Sequence, residues 1–286
     1  MRARESNSGL GRQFEVIEDV LAAMQDAAEK AILPRFRALQ DGDVEEKSPG
    51  EVVTRADREA EALITPVLKL HRPDATVVGE EATAANPSLL NAVRGASTVW
   101  LLDPLDGTSN FVSGTEQFAV MVALVERGLT THAWIWQPLM QVAWIAVRGA
   151  GATRNGERVS LPAGARPATD LRGSLRTRFL DDEHRTFAEA ALDRFGKVLA
   201  GSGCAGIDYP EVASGLQDFL LFRRTLPWDH AAGVLVLREA GGIARRWDGS
   251  DYAPGIDREG LIAARDEGAW QTVASSFLQE RHRGLN

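Results

Sequence analysis

Residues 99–111 read VWLLDPLDGTSNF, an apolar run that ends in a polar turn with two carboxylates. Four consecutive apolar residues without helical spacing are typical of a buried strand. Pro104 has no N–H to donate and favours an extended backbone at Asp103, so the sequence predicts that the chain leaves its sheet at Asp103. Asp106 and Gly107 form a turn pair that folds the chain back. The carboxylates of Asp103 and Asp106 are therefore expected to point to one place.

Two carboxylates in this arrangement, with no Lys or Arg beside them in the sequence, repel each other unless a cation lies between them. Mg²⁺ suits the position, because it prefers carboxylate oxygens and keeps coordination positions for water and phosphate. Thr108, Ser109 and Asn110 commonly start helices. A helix starting here would leave the N–H groups of Gly107 and Thr108 free to bind an anion. The stretch thus predicts a Mg²⁺ site next to an anion site.

The stretch matches neither an EF-hand loop nor the motif of a haloacid-dehalogenase phosphatase. An EF-hand loop starting at Asp103 needs acidic or amide residues at alternating positions and Glu at its twelfth position. Pro104 and Leu105 interrupt that series, and the twelfth position is Gly114. In a haloacid-dehalogenase phosphatase the nucleophilic Asp would fall on Pro104. An ordinary acidic turn at a strand end remains open from this stretch alone.

Two further motifs stand in order around the central one. Residues 79–81 read GEE, residues 103–111 read DPLDGTSNF and residues 228–233 read WDHAAG. Together they resemble the motifs of the inositol monophosphatase family, which are Mg²⁺-dependent, lithium-sensitive phosphomonoesterases related to fructose-1,6-bisphosphatase. The resemblance covers residues 14–264, and three separated motifs in the correct order are more specific than any one of them.

The resemblance implies an α/β (α+β) fold, the five-layer αβαβα sandwich of that family. Residues 1–160 would form an N-terminal half with an antiparallel sheet and most of the metal ligands. Residues 161–286 would form a C-terminal α/β half, with the site in the cleft between the halves. The sequence pattern agrees, because strand-like runs separated by turns follow the central motif and alternating strands and helices follow residue 172. Residues 41–50 lack periodicity and predict a surface loop, and residues 209–216 predict a helix.

The resemblance also assigns roles at the metal centre. Two to three Mg²⁺ ions would be held by five carboxylates and one backbone carbonyl, those of Asp57, Glu80, Asp103, Leu105, Asp106 and Asp229. The catalytic residues would be Thr108, Glu80 and Asp57, which orient the attacking water. Taken alone, Asp57 also fits a helix cap, and Glu81 fits a solvated neighbour of Glu80.

The residues expected to bind the substrate lie in the same motifs and in a later segment, namely Asp106, Gly107, Thr108, Gly203, Cys204, Ala205, Phe222 and Asp229. Two of them depart from the family pattern. Cys204 stands where a hydroxyl is usual, and a thiol is a weak hydrogen-bond partner. Phe222 stands where inositol-specific relatives carry Glu, so a flat or apolar leaving group is favoured, with Arg223 or Arg224 available for a second phosphate or carboxylate.

Several functions remain open from the sequence. The expected activity is that of an inositol-monophosphatase-like phosphoric monoester hydrolase. Nucleotide bisphosphates, fructose 1,6-bisphosphate and histidinol phosphate are alternative substrates. A regulatory metal-binding protein and a structural metal module are the non-enzymatic alternatives. Cys204 as a nucleophile would need a base such as His230, and His230 is more simply a helix-surface or packing residue.

Composition limits the cellular setting. With 286 residues, 44% of them hydrophobic and 25% charged, the chain has the composition of a globular protein with a substantial core. A net charge of −8 argues against a broad nucleic-acid surface. The single cysteine, and the lack of an apolar segment near the N-terminus, favour the cytoplasm. The expected partners are a small phosphorylated metabolite and a second copy of the chain, with no nucleic-acid polymer and no membrane.

Overall fold

The structure is a computed structural model that describes residues 2–48, 50–95, 97–162, 164–176, 180, 182–256 and 258–278. In chain order, the helices are α1 (Arg2–Ala27), α2 (Arg55–His71), α3 (Glu80–Ala85), α4 (Leu90–Arg94), α5 (Thr108–Val112), α6 (Asp182–Ala191), α7 (Ala205–Ala213), α8 (Pro227–Glu239) and α9 (Glu267–Leu278). A π-helical turn (Ala28–Ile32) and a 3₁₀ turn (Leu33–Arg35), which contains Pro34, extend α1. Among the described helices, none is both long and apolar enough to cross a bilayer.

The strands form two main sheets and one hairpin. In chain order they are β1 (Val44–Ser48), β2 (Glu51–Thr54), β3 (Thr76–Gly79), β4 (Val99–Asp106), β5 (Ala119–Glu126), β6 (Leu129–Gln137), β7 (Val142–Val147), β8 (Gly151–Arg154), β9 (Glu157–Val159), β10 (Arg172–Leu175), β11 (Lys197–Leu199), β12 (Phe219–Phe222), β13 (Ile243–Arg246) and β14 (Leu261–Ala264).

The larger sheet contains β3 to β9 in sequence order. The β3 strand runs parallel to β4, and every later neighbour is antiparallel. The strand-like runs predicted after the central motif therefore form an antiparallel meander. The smaller sheet has the order β11-β10-β12-β14-β13, with β10 parallel to both its neighbours and β14 antiparallel to both of its own.

Side-chain alternation along the strands builds the layers. On β4, Trp100 and Leu102 pack with α1 and α2 on the outer face, whereas Leu101 faces α7 and α8 on the inner face. On β12, Leu220 joins that inner core, while Leu221 packs towards α9. Helix α6 packs on α9. The layers are thus helices, large sheet, α7 with α8, small sheet and helices, which confirms the α/β five-layer prediction.

The prediction for the end of the central strand was wrong. Strand β4 does not leave the sheet at Asp103 but continues to Asp106. Asp103 pairs with Met121 and Asp106 pairs with Ala119, so Pro104 and the following residue form a bulge. A bulge accepts proline because its extra residues need not donate to the ladder.

Two element boundaries also differ from the sequence prediction. Residues 41–50 were expected to be a loop, yet β1 pairs with β2 as an antiparallel hairpin. Helix α7 begins at Ala205 rather than Tyr209, although Pro210 lies inside it. Proline cannot donate to the carbonyl four residues earlier, and the Gln137 side chain donates to that carbonyl of Gly206 instead, at 2.8 Å. A contact from a distant strand thus supports the longer helix.

Candidate active site

Three carboxylates from three elements converge at one edge of the large sheet. One oxygen each from Glu80, Asp103 and Asp229 lies within 4.8 Å of the others. Glu80 opens α3 directly after β3, and Asp103 lies on the parallel strand β4, so the strand pairing brings both to one edge. Asp229 comes from the first turn of α8, which packs on this sheet. Carboxylates far apart in the sequence therefore form one cluster.

Electrostatics at this cluster favours a bound cation. Burial raises the pKa of Asp103 well above its usual value, and the charge of Glu80 raises it further. The same two causes raise the pKa of Asp229. Charged oxygens held this close in a buried place are costly unless a positive ion lies among them. An all-oxygen donor set of this kind fits a hard cation such as Mg²⁺.

Asp106 lies beside the cluster and is held by two donors. Its Oδ2 atom accepts hydrogen bonds from the Gly206 N–H at 2.6 Å and from the Cys204 Sγ–H at 3.1 Å. Burial raises the pKa of Asp106 to about 6, while these two bonds oppose the rise. Its charge in turn raises the pKa values of Asp103 and Asp229. Asp106 is therefore fixed with one oxygen anchored to the start of α7.

Asp57 reaches the site through Thr108. The Thr108 hydroxyl lies 3.0 Å from Asp57 Oδ1 and 2.9 Å from the Leu105 carbonyl oxygen. The other Asp57 oxygen accepts from the Thr54 N–H at 2.8 Å and its hydroxyl at 2.6 Å, which forms a capping box at α2. Burial raises the pKa of Asp57 to about 7. Asp57 is thus both a helix cap and a partner of Thr108.

Cys204 does not face the cleft, unlike its neighbours Gly203 and Ala205. Its thiol is fully buried and donates to the carboxylate and to the backbone carbonyl of Asp106. Burial, followed by the charge of Asp106, raises the pKa of the thiol well above its usual value. The thiol therefore supports Asp106, and its position suits neither the expected substrate contact nor a thiolate nucleophile.

Phe222 is both a core residue and part of the cleft wall. Its ring stacks on Tyr209 at 5.5 Å and meets the ring of His230 at 4.7 Å. His230 Nε2 lies 3.2 Å from the Arg224 carbonyl, so it donates there, and Nδ1 accepts from the Tyr209 hydroxyl at 2.9 Å. Burial lowers the pKa of His230 to about 3, so the ring is neutral. This arrangement is that of a packing histidine.

Two residues that help to position Glu80, Lys47 and Glu61, were not predicted from the sequence. Lys47, in the segment expected to be a loop, forms ion pairs with Glu80 at 3.1 Å and with Glu81. Glu61 accepts from the N–H groups of Glu81 at 2.9 Å and Ala82 at 2.8 Å, and so caps α3. Glu61 lies on the buried face of α2, at a position where an apolar residue is usual, which was the one signal available in the sequence. For Lys47 the sequence offers no comparable signal.

The carboxylate cluster lies in a cleft of about 580 Å³. Its wall includes the carboxylates of Glu80, Asp103, Asp106 and Asp229 and the predicted substrate residues Gly107, Thr108, Gly203, Ala205 and Phe222. Gly107 makes the turn after β4 with φ of +86°, and a Cβ there would lie 2.8 Å from the Gln117 carbonyl oxygen. The expected residues, apart from Cys204 and Asp57, therefore line a single cavity.

The sequence model of the inositol monophosphatase family matches residues 14–283. The chain belongs to the inositol monophosphatase family. Among solved structures, it resembles the extragenic suppressor protein suhB of Bartonella henselae, with a TM-score of 0.80, 26% identity and coverage of 93% of this chain and 99% of that one. An inositol monophosphatase from Zymomonas mobilis has a TM-score of 0.74 and 27% identity, over 91% of this chain and 97% of its own. An IMPase from Thermotoga maritima has a TM-score of 0.75 and 25% identity, over 96% of this chain and 98% of its own.

Two sequence relatives in this family carry the name Nus factor SuhB. The protein of Vibrio cholerae serotype O1 is 32% identical over 74% of this chain and 76% of its own length. That of Pseudomonas aeruginosa is 34% identical over 75% and 80%. Our expectation about partners, a metabolite and a second copy with no nucleic-acid polymer, is wrong in the light of that name. Net charge describes the whole surface and does not exclude a local docking surface for another macromolecule.

Proposed function

We propose that this chain hydrolyses a phosphate monoester of a small metabolite with the help of divalent cations. Water oxygen bonds to phosphorus while the ester P–O bond breaks, and the departing alkoxide takes up a proton, so that ester and water give alcohol and inorganic phosphate. The observation that supports this proposal is the convergence of Glu80, Asp103 and Asp229 in a cleft. Family membership and the resemblance to inositol monophosphatases point the same way.

The residues that would hold the cations are the clustered carboxylates, Asp106 and the Leu105 carbonyl, with Asp57 beside them. Bound Mg²⁺ supplies positive charge that acidifies water and neutralises phosphate oxygens. Thr108, hydrogen-bonded to Asp57, and Glu80 orient the attacking water. The N–H groups of Gly107 and Thr108 bind the phosphate. Catalysis of this kind relies on positioning and on charge neutralisation.

The alcohol part of the substrate meets an aromatic wall in this proposal. Phe222 is held by Tyr209 and His230 and presents no acceptor for sugar or inositol hydroxyls. We therefore rank adenosine bisphosphates and histidinol phosphate above inositol monophosphate. Li⁺, which competes for hard oxygen sites in related enzymes, is expected to inhibit the reaction.

The test of this proposal is phosphate release with Mg²⁺ from a panel of inositol 1-phosphate, AMP, adenosine 3′,5′-bisphosphate, fructose 1,6-bisphosphate and histidinol phosphate. We expect Asp103→Asn to lower kcat about 100- to 1,000-fold, because it removes one charge from the cluster. Asp74→Asn, at an exposed carboxylate paired with Arg72, is the matched control and should retain activity. Circular dichroism verifies that both variants are folded. Undiminished activity of Asp103→Asn would refute the proposed metal centre.

A second candidate function is a regulatory one, and the name Nus factor SuhB of the relatives favours it. In that case the chain would bind macromolecular partners independently of catalysis. The variant Asp229→Asn, folded and inactive, separates the two. A partner interaction that survives this substitution unchanged supports the regulatory role, whereas full dependence of the cellular phenotype on Asp229 supports catalysis.

A further inference from the structure

Arg176 is a cation in the wall of the cleft, just beyond the end of β10. Its backbone N–H donates to the Leu221 carbonyl at 3.0 Å, which fixes the residue in place. The side chain is half-buried and lines the cleft. Within the described part of the chain, its guanidinium makes no hydrogen bond and no ion pair at bonding distance. A guanidinium has five N–H donors, and those that face the cleft are accessible to water or to a bound anion.

The other cations of this wall already have acidic partners. Lys47 pairs with Glu80 at 3.1 Å. Arg223 pairs with Glu259 at 2.9 Å, and Arg224 pairs with Glu51. The ring of His230 is neutral. Among the described residues that line the cleft, Arg176 therefore offers the available positive charge.

Arg176 lies close to the carboxylate cluster without joining it. Arg176, Asp106 and Asp229 line the same cleft, and the charge of Arg176 lowers the pKa values of both carboxyl groups and of the buried Asp208. Gly201 leaves room for the side chain, because a Cβ at that position would lie 3.1 Å from Arg176 Cδ. An anion bound to Arg176 and a phosphate at the cluster would thus share one cleft.

We propose that Arg176 is a specificity residue that binds a second acidic group, a phosphate or a carboxylate, on the alcohol part of the substrate. The inference rests on the phosphomonoesterase function proposed above. The reacting phosphate is provided for by the cation site and by the N–H groups of Gly107 and Thr108. A second acidic group has no other unpaired cation available among the described cleft residues. The planar fork of arginine suits both phosphate and carboxylate through paired hydrogen bonds.

A purely structural role is the alternative for Arg176. Asp208 is fully buried, its Oδ1 atom accepts from the Ser202 N–H at 2.9 Å, and its Oδ2 atom has no partner among the described residues. Gly201 lies between the two residues, since a Cβ there would be 3.4 Å from Asp208 Oδ2. If Arg176 served mainly to neutralise Asp208, its removal would change stability and leave substrate preference unchanged.

The experiment compares substrates that differ by one acidic group. AMP is paired with adenosine 3′,5′-bisphosphate, and glycerol 3-phosphate is paired with 3-phosphoglycerate. We expect Arg176→Gln to lower kcat/KM for the doubly acidic member of each pair about 10- to 100-fold, mainly through KM. The singly acidic member should change by less than about threefold. Arg176→Lys, which keeps the charge but loses the fork, should show an intermediate loss. Arg258→Gln, at an exposed arginine paired with Asp248, is the control for net charge and should leave both ratios unchanged.

Binding measured by calorimetry separates this inference from the proposed function. Wild-type protein that hydrolyses no ester but binds adenosine 3′,5′-bisphosphate more tightly than AMP, through Arg176, would refute the phosphatase and retain the anion site. Equal losses on both members of a pair would place Arg176 on the reacting phosphate and overturn the proposal. If Arg176→Gln left the ratio of kcat/KM within each substrate pair unchanged but lowered Tm, the role of Arg176 would be to neutralise Asp208, and the proposal would be overturned. A wild-type protein that shows no preference for the doubly acidic probes would also overturn it.

Discussion

At the scale of single residues, Asp57 combines a structural and a chemical position. It caps α2 with one oxygen and accepts from the Thr108 hydroxyl with the other. Burial raises its pKa from 3.8 to about 7, so the folded chain binds a proton that the unfolded chain has already released. Stability contributed by this proton is complete below about pH 4 and is lost as the pH rises through 7. Asp57 should therefore make the metal-free protein less stable at neutral pH.

The loss of stability with rising pH gives a direct prediction for the variant Asp57→Asn. In EDTA, the free energy of unfolding of the wild type should fall relative to that of the variant by about 1–3 kcal/mol between pH 5 and pH 8. Urea unfolding at several pH values measures the difference. Glu59→Gln, at a partly exposed carboxylate on the same helix, serves as control and should run parallel to the wild type. If the free energy of unfolding of Asp57→Asn changed with pH as that of the wild type does, the raised pKa of Asp57 would be contradicted.

The positions of individual residues could be predicted from the sequence where a motif contains them, and could not where the position depends on a contact with a distant part of the chain. The carboxylates at 80, 103, 106 and 229 could be found because each ends or begins an element in a motif. Cys204 looked like a substrate contact, yet its thiol turns to Asp106, nearly a hundred positions earlier in the chain. Arg176 has no motif around it, and its place in the wall is a property of the folded cleft.

At the scale of elements, the turn between β4 and α5 depends on a glycine. Gly107 has φ of +86°, and a Cβ there would approach the Gln117 carbonyl oxygen to 2.8 Å and Cys204 Cβ to 3.1 Å. Gly107→Ala should therefore lower the free energy of unfolding by about 2–5 kcal/mol, from the left-handed backbone and the close contact together. Gly128→Ala is the matched control, because φ is +77° with no atom within 4 Å. Gly128→Ala should lower the free energy of unfolding, measured in urea, by about 1–2 kcal/mol. If both substitutions lowered it by the same amount, the close contacts of a Cβ at position 107 would not contribute.

The start of α3 gives a second prediction at this scale. Glu61 caps the helix through the N–H groups of Glu81 and Ala82, and Gly79 leaves room for it, since a Cβ there would be 2.3 Å from Glu61 Oε2. Glu61→Ala should cost about 1–2 kcal/mol of stability and weaken Mg²⁺ binding, because Glu80 opens the same helix. Glu59→Ala, two positions earlier in α2, removes a side chain whose ion pairs are with Arg35 and Arg55 rather than with α3. Calorimetric Mg²⁺ titration that gives equal affinities for both variants would contradict the positioning role.

Helices and strands could be predicted where the pattern of apolar residues lies within the segment itself. Strands β5 to β7 are apolar runs buried largely on both faces, and α1 places its apolar residues on one buried face, so the sequence records both patterns directly. Strand β1 is charged and mostly exposed, so it shows little apolar alternation and its sequence resembles that of a loop. The bulge in β4 depends on its pairing with β5, and pairing register is not written in either strand alone.

At the scale of the whole molecule, one core connects both sheets. The cluster between them contains Leu101 of the large sheet, Leu235 of α8 and Leu220 of the small sheet. Helices α7 and α8 touch closely, since a Cβ on Gly233 would lie 2.2 Å from Tyr209 Cδ2. The proposed halves, residues 1–160 and 161–286, therefore share the apolar surface that would stabilise each of them. A shared core of this kind favours cooperative unfolding of the two halves together.

We accordingly expect the metal-free protein to unfold in one transition, with equal calorimetric and van't Hoff enthalpies. Leu220→Ala, in a side chain that is 1% exposed on the small sheet, should lower stability by about 2–5 kcal/mol. Because the core is common, the substitution should shift the urea midpoints of tryptophan fluorescence and of far-UV circular dichroism by the same amount. Leu216→Ala, at a leucine that is 69% exposed, is the control and should change stability by less than about 0.5 kcal/mol. A Leu220→Ala variant whose tryptophan signal keeps the wild-type midpoint while the circular dichroism shifts would show that the halves unfold independently.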